Sequence, residues 1–176
     1  MQATYVVFDL EATGLKPDEN DILEIGAVKI VDGEVVDRFS QLIRPESQIP
    51  AFVAHMTGID RKAVSQQPSL SEVWPRFAEF IQGSVLVAHN AAYDIGMLRA
   101  ALRRWGLALD EMPLVDTQDL ITLLLPNLPS LRLEDVARTM GIALPEAHRA
   151  LSDAQATADI FLNLLKKIDS IPLTLL

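Results

Sequence analysis

The chain has 176 residues, 49% of them hydrophobic and 22% charged, which suits one globular domain with a sizeable core and excludes a disordered segment or a coiled coil. It contains no cysteine, so disulfides and thiolate metal sites are excluded, and any metal must be held by oxygen or imidazole ligands. A formal net charge of −9 argues against holding nucleic acid by broad electrostatic attraction, although divalent cations on clustered carboxylates would still create a local phosphate site.

No basic segment followed by an apolar stretch opens the chain, and no apolar run approaches the roughly 18 residues of a membrane span. The expectation is a cytoplasmic protein with no membrane partner. In chain order, residues 5–8 (Tyr-Val-Val-Phe) read as a strand buried on both faces that runs into Asp9-Leu10-Glu11. Side chains alternate along a strand, so Asp9 and Glu11 point to one face at its C-terminal end and Leu10 to the other. Two carboxylates held that close raise each other's pKa unless a cation compensates them, and magnesium or manganese suits oxygen ligands. Taken alone, an Asp-x-Glu is also the look of a strand end entering a solvated acidic turn, so the reading depends on partners elsewhere.

Thr13-Gly14-Leu15 turns the chain, and residues 16–21 read as a polar surface loop. Two strand-like runs follow, 22–31 and 34–43, joined by Asp32-Gly33, a pair that accepts positive φ and marks a two-residue hairpin. The first three strands therefore form an antiparallel meander. Residues 44–67 are irregular with short helical pieces. Ser69-Leu70-Ser71-Glu72 has the spacing of a capping box, and Leu70, Val73, Phe77, Phe80 and Ile81 recur at helical intervals up to Gly83.

Residues 85–88 form a short buried strand leading into His89-Asn90-Ala91-Ala92-Tyr93-Asp94 and a helix that ends near Gly106, with Asp94 in its first turn. Leu114-Val115 reads as a last strand, Asp116 or Thr117 caps a helix stopped by Pro126, and Ser130 caps another ending at Gly141. The final helix spans about 148–169, with Leu151, Ala154, Ala158, Phe161, Leu165 and Ile168 as its buried side. Pro172 ends it, leaving an apolar tail at 173–176 that either packs on the domain or marks a piece of a longer polypeptide. The order of elements predicts an α/β sandwich whose mixed five-stranded sheet, an antiparallel meander plus parallel strands, is flanked by helices. Sites in such sheets gather at the carboxyl ends of strands, where Asp9 and Glu11 stand.

If the 85–88 strand lies beside the first, Asp94 approaches Asp9 and Glu11, while Asp153 projects from the last helix. Four carboxylates from three segments match a two-cation site for cutting a phosphodiester, with cations about 3.5–4 Å apart. Singly, Asp94 is a first-turn acid favoured by the helix dipole and Asp153 a solvated helix face. His148 lies five residues before Asp153, about 140° away on an ideal helix, so the two share a site only if His148 precedes or caps that helix. Its imidazole, with an ordinary pKa near ~6.5, suits a general base at neutral pH. His89 reads as structural and His55 as a surface residue or a contact for a terminal base. Arg99, Arg103 and Arg104 cluster on one helix, either as a solvated face or as a phosphate contact.

FDLEATGL (8–15), VAHNAAYDIGML (87–98) and HRALSDA (148–154) resemble, in order and spacing, the three motifs of the DnaQ-like, DEDDh-type 3′→5′ exonucleases. The resemblance implies a ribonuclease H-like fold over residues 1–169, with 170–176 as a tail or the start of a linker. It implies that Asp9, Glu11, Asp94 and Asp153 hold two Mg2+ or Mn2+ ions and that His148 activates the attacking water. It also implies that Thr13, Gly14, Leu15, Asn90 and Tyr93 cradle the 3′-terminal nucleotide. The family pattern after the glutamate is Thr-Thr-Gly, where this chain has Ala12-Thr13-Gly14, so one hydroxyl is missing among the substrate contacts.

Met56-Thr57-Gly58-Ile59 and Asp116-Thr117-Gln118-Asp119-Leu120 bring the chain nearest to the exonuclease modules of PolC-type polymerases and DinG-type helicase relatives, and Met1 favours an N-terminal module. The expected substrate is a single-stranded DNA 3′ end, cut to nucleoside monophosphates in proofreading or repair. A polymerase or helicase module in the same or a partner chain would direct it. The alternatives are RNA trimming by the same chemistry and a catalytically silent nucleic-acid-binding module.

Overall fold

The computed structural model describes residues 3–170, so the expectations for the tail at 173–176 fall outside the described residues. Five strands form one sheet in the order β3-β2-β1-β4-β5. They are β1 (Thr4–Ala12), β2 (Ile22–Val31), β3 (Glu34–Leu42), β4 (Val85–Ala88) and β5 (Leu114–Asp116). β1, β2 and β3 pair antiparallel, whereas β4 and β5 join parallel to β1, the mixed sheet expected. The β2–β3 turn uses Asp32 at φ 54° and Gly33 at φ 79°, both left-handed as an Asp-Gly hairpin requires.

Seven helices complete the described residues: α1 (Ala51–Thr57), α2 (Arg61–Val64), α3 (Leu70–Ile81), α4 (Ala91–Arg104), α5 (Thr117–Leu124), α6 (Leu133–Met140) and α7 (Ala150–Asp169). α3 opens on the expected box, in which Ser69 N donates to Glu72 Oε2 at 2.7 Å. α3 and α4 cover one face of the sheet around Val6, Phe8, Leu10, Leu86 and Phe77. α7 covers the other around Val7, Val28, Ile30, Val87 and Phe161. The alternation along β1 thus sends Phe8 and Leu10 to the first face and Val7 to the second.

Two local expectations are corrected. Ser130 is not the cap of α6: its hydroxyl accepts the N–H of Arg132 and donates to Asp135 Oδ2, and Arg132 holds the cap position with no side-chain bond. The serine braces the approach to the helix because its oxygen is taken up two residues before the cap. Ile168 is not on the buried side of α7 but 37% exposed, while Ile160 and Leu164 are buried against α5 and α6. Two packed neighbours widen the apolar stripe of α7 in its middle, and its last turn runs beyond them.

Candidate active site

The parallel pairing of β1 with β4 ends at Val7↔Val87, yet β1 continues through Asp9 and Glu11 to Ala12. Past the end of β4, the N–H of Leu10 donates to Asp94 Oδ1 at 3.0 Å, so a side chain from α4 takes the place of a strand neighbour. Asp94 is 3% exposed and anchored there, beside the two acids of β1. The start of α4 is held by Asp116, whose carboxylate accepts the N–H of Asn90 at 3.0 Å and of Ala91 at 2.8 Å. Asn90 occupies the left-handed region at φ 65°. His89 braces the same corner through Thr117 Oγ1 and the Leu131 carbonyl, the structural role expected, and burial lowers its pKa.

His148 also stands in the left-handed region, at φ 62°, and α7 begins only at Ala150. The condition set by the five-residue spacing is met: His148 precedes the helix, and its N–H donates back to Asp153 Oδ2 at 3.1 Å. One ligand atom from each of Glu11, His148 and Asp153 lies within 4.8 Å of the others. The His148 ring is met from α6 by Glu134, with Nε2 3.3 Å from Oε1. Asp153 Oδ1 is buried and has no hydrogen-bond partner among the described residues.

These placements put like charges together with little water. Burial and then Asp94, Asp153 and Glu11 hold the Asp9 carboxyl well above the usual range. Burial, Asp153 and Glu24 push Glu11 up to about 8, eased by Arg149. Burial raises Asp94 to about 8 against the opposing bond from Leu10, and raises Asp153 to about 6 against the bond from His148. Carboxylates this strained by one another, together with the orphaned Asp153 oxygen, fit a hard divalent cation, which would satisfy both charge and oxygen at once. Among the described residues, Glu11, His148 and Asp153 are the group that joins histidine and carboxylates closely enough to hold a metal, with Asp9 and Asp94 outside that set.

The loop after β1 is closed at its base by Thr13, whose N–H donates to Asp21 O at 2.8 Å and whose Oγ1 accepts Asp21 N–H at 3.0 Å. Thr13 is 2% exposed and its hydroxyl is already engaged. Gly14 passes so close to Asn20 that an added Cβ would lie 2.7 Å from Oδ1. Tyr93 donates its hydroxyl to the Gly14 carbonyl at 3.1 Å, and burial followed by Asp94 keeps that phenol protonated by raising its pKa. Leu15 is 82% exposed beside them. The helix arginines turn back onto this loop: Arg104 donates to Pro17 O, Asn20 O and Asp21 Oδ1, and Arg103 meets Asp18. His55 lies exposed on α1.

Sequence reasoning missed Glu24 and Glu134. Glu24 sits on β2 directly opposite Glu11, is 1% exposed, and accepts bonds from Arg149 and the Ala150 N–H. Its signal was a lone carboxylate inside the apolar run 22–28. Glu134 left no signal, since acids are ordinary in a first helical turn.

Comparison with known proteins identifies the family. The RNase_T exonuclease family model matches residues 6–161. The chain belongs to the RNase_T exonuclease family. The exonuclease chain is 45% identical over 164 residues to the PolC-type DNA polymerase III of Clostridium perfringens, covering 93% of the chain and 11% of the polymerase. It is 41% identical over 175 residues to a putative bifunctional exonuclease/endonuclease protein of Mycobacterium tuberculosis, covering 95% of the chain and 27% of that protein. It thus spans about a tenth to a quarter of the length of these relatives.

Among solved structures, Exonuclease X in complex with 5′-overhanging duplex DNA matches with a TM-score of 0.76 and 26% identity, over 95% of this chain and 94% of that one. The nuclease domain of 3′hExo, a DEDDh family member bound to rAMP, matches with a TM-score of 0.80 at 17% identity, over 94% and 92%. The fold is therefore the ribonuclease H-like fold of the DEDDh exonucleases, and the activity of the family is nuclease hydrolysis. No helix of the described residues is long and apolar enough to cross a membrane.

Proposed function

We propose that this exonuclease domain is a cytoplasmic, divalent-cation-dependent 3′→5′ exonuclease that releases nucleoside monophosphates from single-stranded DNA ends in proofreading or repair. The observation that carries the reading is the convergence of Asp9, Glu11, Asp94 and Asp153 with His148 at the C-terminal end of β1, three of them within 4.8 Å. Asp9, Glu11, Asp94 and Asp153 would hold two Mg2+ or Mn2+ ions. Bound there, the cations would supply the positive charge that offsets the carboxylates and the charge developing on the phosphodiester.

The remaining roles fall to the chain's own groups. His148 is the general base: outside α7, with its backbone tied to Asp153 and its ring beside Glu134, its imidazole faces the acids and takes the proton of the attacking water. Gly14, Leu15, Asn90 and Tyr93 receive the terminal nucleotide. The Tyr93 hydroxyl bonds the Gly14 carbonyl, which ties the backbone after β1 to α4, and exposed Leu15 offers an apolar surface to a base. Thr13 contributes by closing the loop that presents them.

DNA is favoured over RNA by the PolC-type polymerases among the relatives and by the DNA bound to Exonuclease X. The rAMP bound to the nuclease domain of 3′hExo is what supports RNA trimming as the second reading. A polymerase or helicase module, in the same or a partner chain, would bring the domain to its strand. The test is 5′-labelled single-stranded DNA and matching RNA with magnesium, manganese or chelator, beside Asp9→Ala. Cation-dependent ladders shortening from the 3′ end, absent in the variant and faster on DNA, support the reading. Faster loss of RNA favours trimming, and no shortening of either polymer leaves the silent binding module.

A further inference from the structure

We infer that Glu24 and Arg149 form a positioning pair that sets the start of α7, and with it the placement of His148 and Asp153, on the sheet. The inference rests on the exonuclease reading for its activity readout only.

Glu24 lies 1% exposed inside β2, an expensive place for a carboxylate unless it is fully engaged. Its engagement is complete: Oε2 accepts Arg149 Nε at 3.1 Å and the Ala150 N–H at 3.0 Å, and Oε1 accepts Arg149 Nη2 at 2.8 Å. The fork of the guanidinium fixes the plane of the carboxylate, and the bond from Ala150 satisfies an N–H that the first turn of α7 leaves without a helical partner. A carboxylate there also complements the N-terminal end of the helix dipole, in a helix whose cap residue, Arg149, makes no side-chain cap bond.

A second observation comes from Gly26, two residues along the same face of β2. An added Cβ there would lie 2.1 Å from Ala150 C and 2.2 Å from Leu151 N. The backbone of α7 thus rests directly on β2, with Gly26 below and Glu24 beside it. The residues flanking this seat are those of the candidate site: His148 precedes Arg149, Asp153 lies one turn on, and Glu11 faces Glu24 across the β1–β2 register. His148 holds a left-handed backbone, which persists only where its surroundings impose it, and the Arg149 anchor next to it is that constraint. Arg149 also offsets the charge of Glu11.

The test compares the full chain with Glu24→Gln, Arg149→Met and the double variant. Ile81→Ala, which empties core volume at the far end of the sheet, serves as a stability control. A positioning role gives single variants with kcat reduced about tenfold or more and KM for the strand within about twofold, because small misplacements of reacting groups act on the chemical step. The double variant should lose no more than the worse single one, since both remove one device. In cation-free protein, the amide signals of His148, Ala150 and Asp153 should shift and Ala150 exchange faster in all three variants, while those of Ile81→Ala stay in place there. Unmoved amide signals at 148–153 overturn the inference, as do kcat losses that only follow the melting temperature as in Ile81→Ala, additive losses, or a raised KM with kcat intact. If the parent chain cuts no strand, the exonuclease reading fails, and the amide signals still decide the positioning pair.

Discussion

Asp94 and Leu10 are 84 residues apart, yet the carboxylate of one accepts the backbone N–H of the other at 3.0 Å. The bond places a buried acid where β4 has stopped and β1 has not, and brings it beside Asp9. Asp94→Asn keeps an oxygen for Leu10 and removes the charge. The variant should lose at least about a hundredfold in cation-dependent cleavage. Its cation-free form should melt higher than the parent at pH 8, because a like charge has left the cluster. Activity assays and melts in chelator check both, and a lower melting point at pH 8 would contradict the account.

The raised carboxyls also set a pH dependence. For a group whose folded pKa lies above its unfolded value, the stability contributed is fully present below the unfolded pKa and lost as pH rises through the folded one. Glu11 and Asp94 rise to about 8 and Asp153 to about 6, so the cation-free domain should lose stability from roughly pH 4 to 8. His89, lowered by burial, works in the opposite direction on the acid side of its ordinary value. Divalent cations compete with these protons, so the rise in melting temperature on adding magnesium should be larger at pH 8 than at pH 5. Melts at both pH values, with and without cation, measure it.

Gly26→Ala tests the seat of α7 from below. The new methyl would meet the backbone of Ala150 and Leu151 near 2 Å, and backbone cannot swing aside as a side chain can. Overpacking of this kind costs about 1–3 kcal/mol or more. Urea unfolding should show that loss, together with reduced cleavage. A variant as stable as the parent would mean that the helix lifts without penalty.

Arg104 is only a third exposed and makes three bonds to the 16–21 loop, to two carbonyls and to Asp21. Arg104→Ala should destabilise the domain by about 1–3 kcal/mol, by removing three bonds, one of them to a carboxylate, that tie the loop to α4. Amides from Thr13 to Asp21 should exchange faster. Affinity for long single strands in chelator should change little, since the guanidinium is already engaged by the loop. A large loss of that affinity would favour the phosphate-contact reading of this arginine cluster.

Much of the frame was legible because its signals are local. The Asp32-Gly33 turn needs two left-handed residues, the Ser69–Glu72 box needs only three residues' separation, and the alternation along β1 assigns Asp9 and Glu11 to one face from sequence alone. Ser130 misled because a helix-capping residue type two positions early looks the same in sequence as one at the cap. The sequence left Arg103 and Arg104 open between a solvated face and a phosphate contact, because a basic helix face gives no hint that acids and carbonyls of a distant loop will meet it.

By itself, the sequence determined the mixed α/β class, the strand that carries the first two acids and the three motifs that name the family. Only the tertiary structure decided that β4 stops short so that Asp94 reaches Leu10, that His148 leaves the helix with a left-handed backbone, and that Glu24 receives Arg149. The reason is physical: periodicity and capping are set by neighbours within a turn or a rung. The seat of α7 joins residues 125 apart, and its geometry follows from which backbone groups burial leaves without a partner.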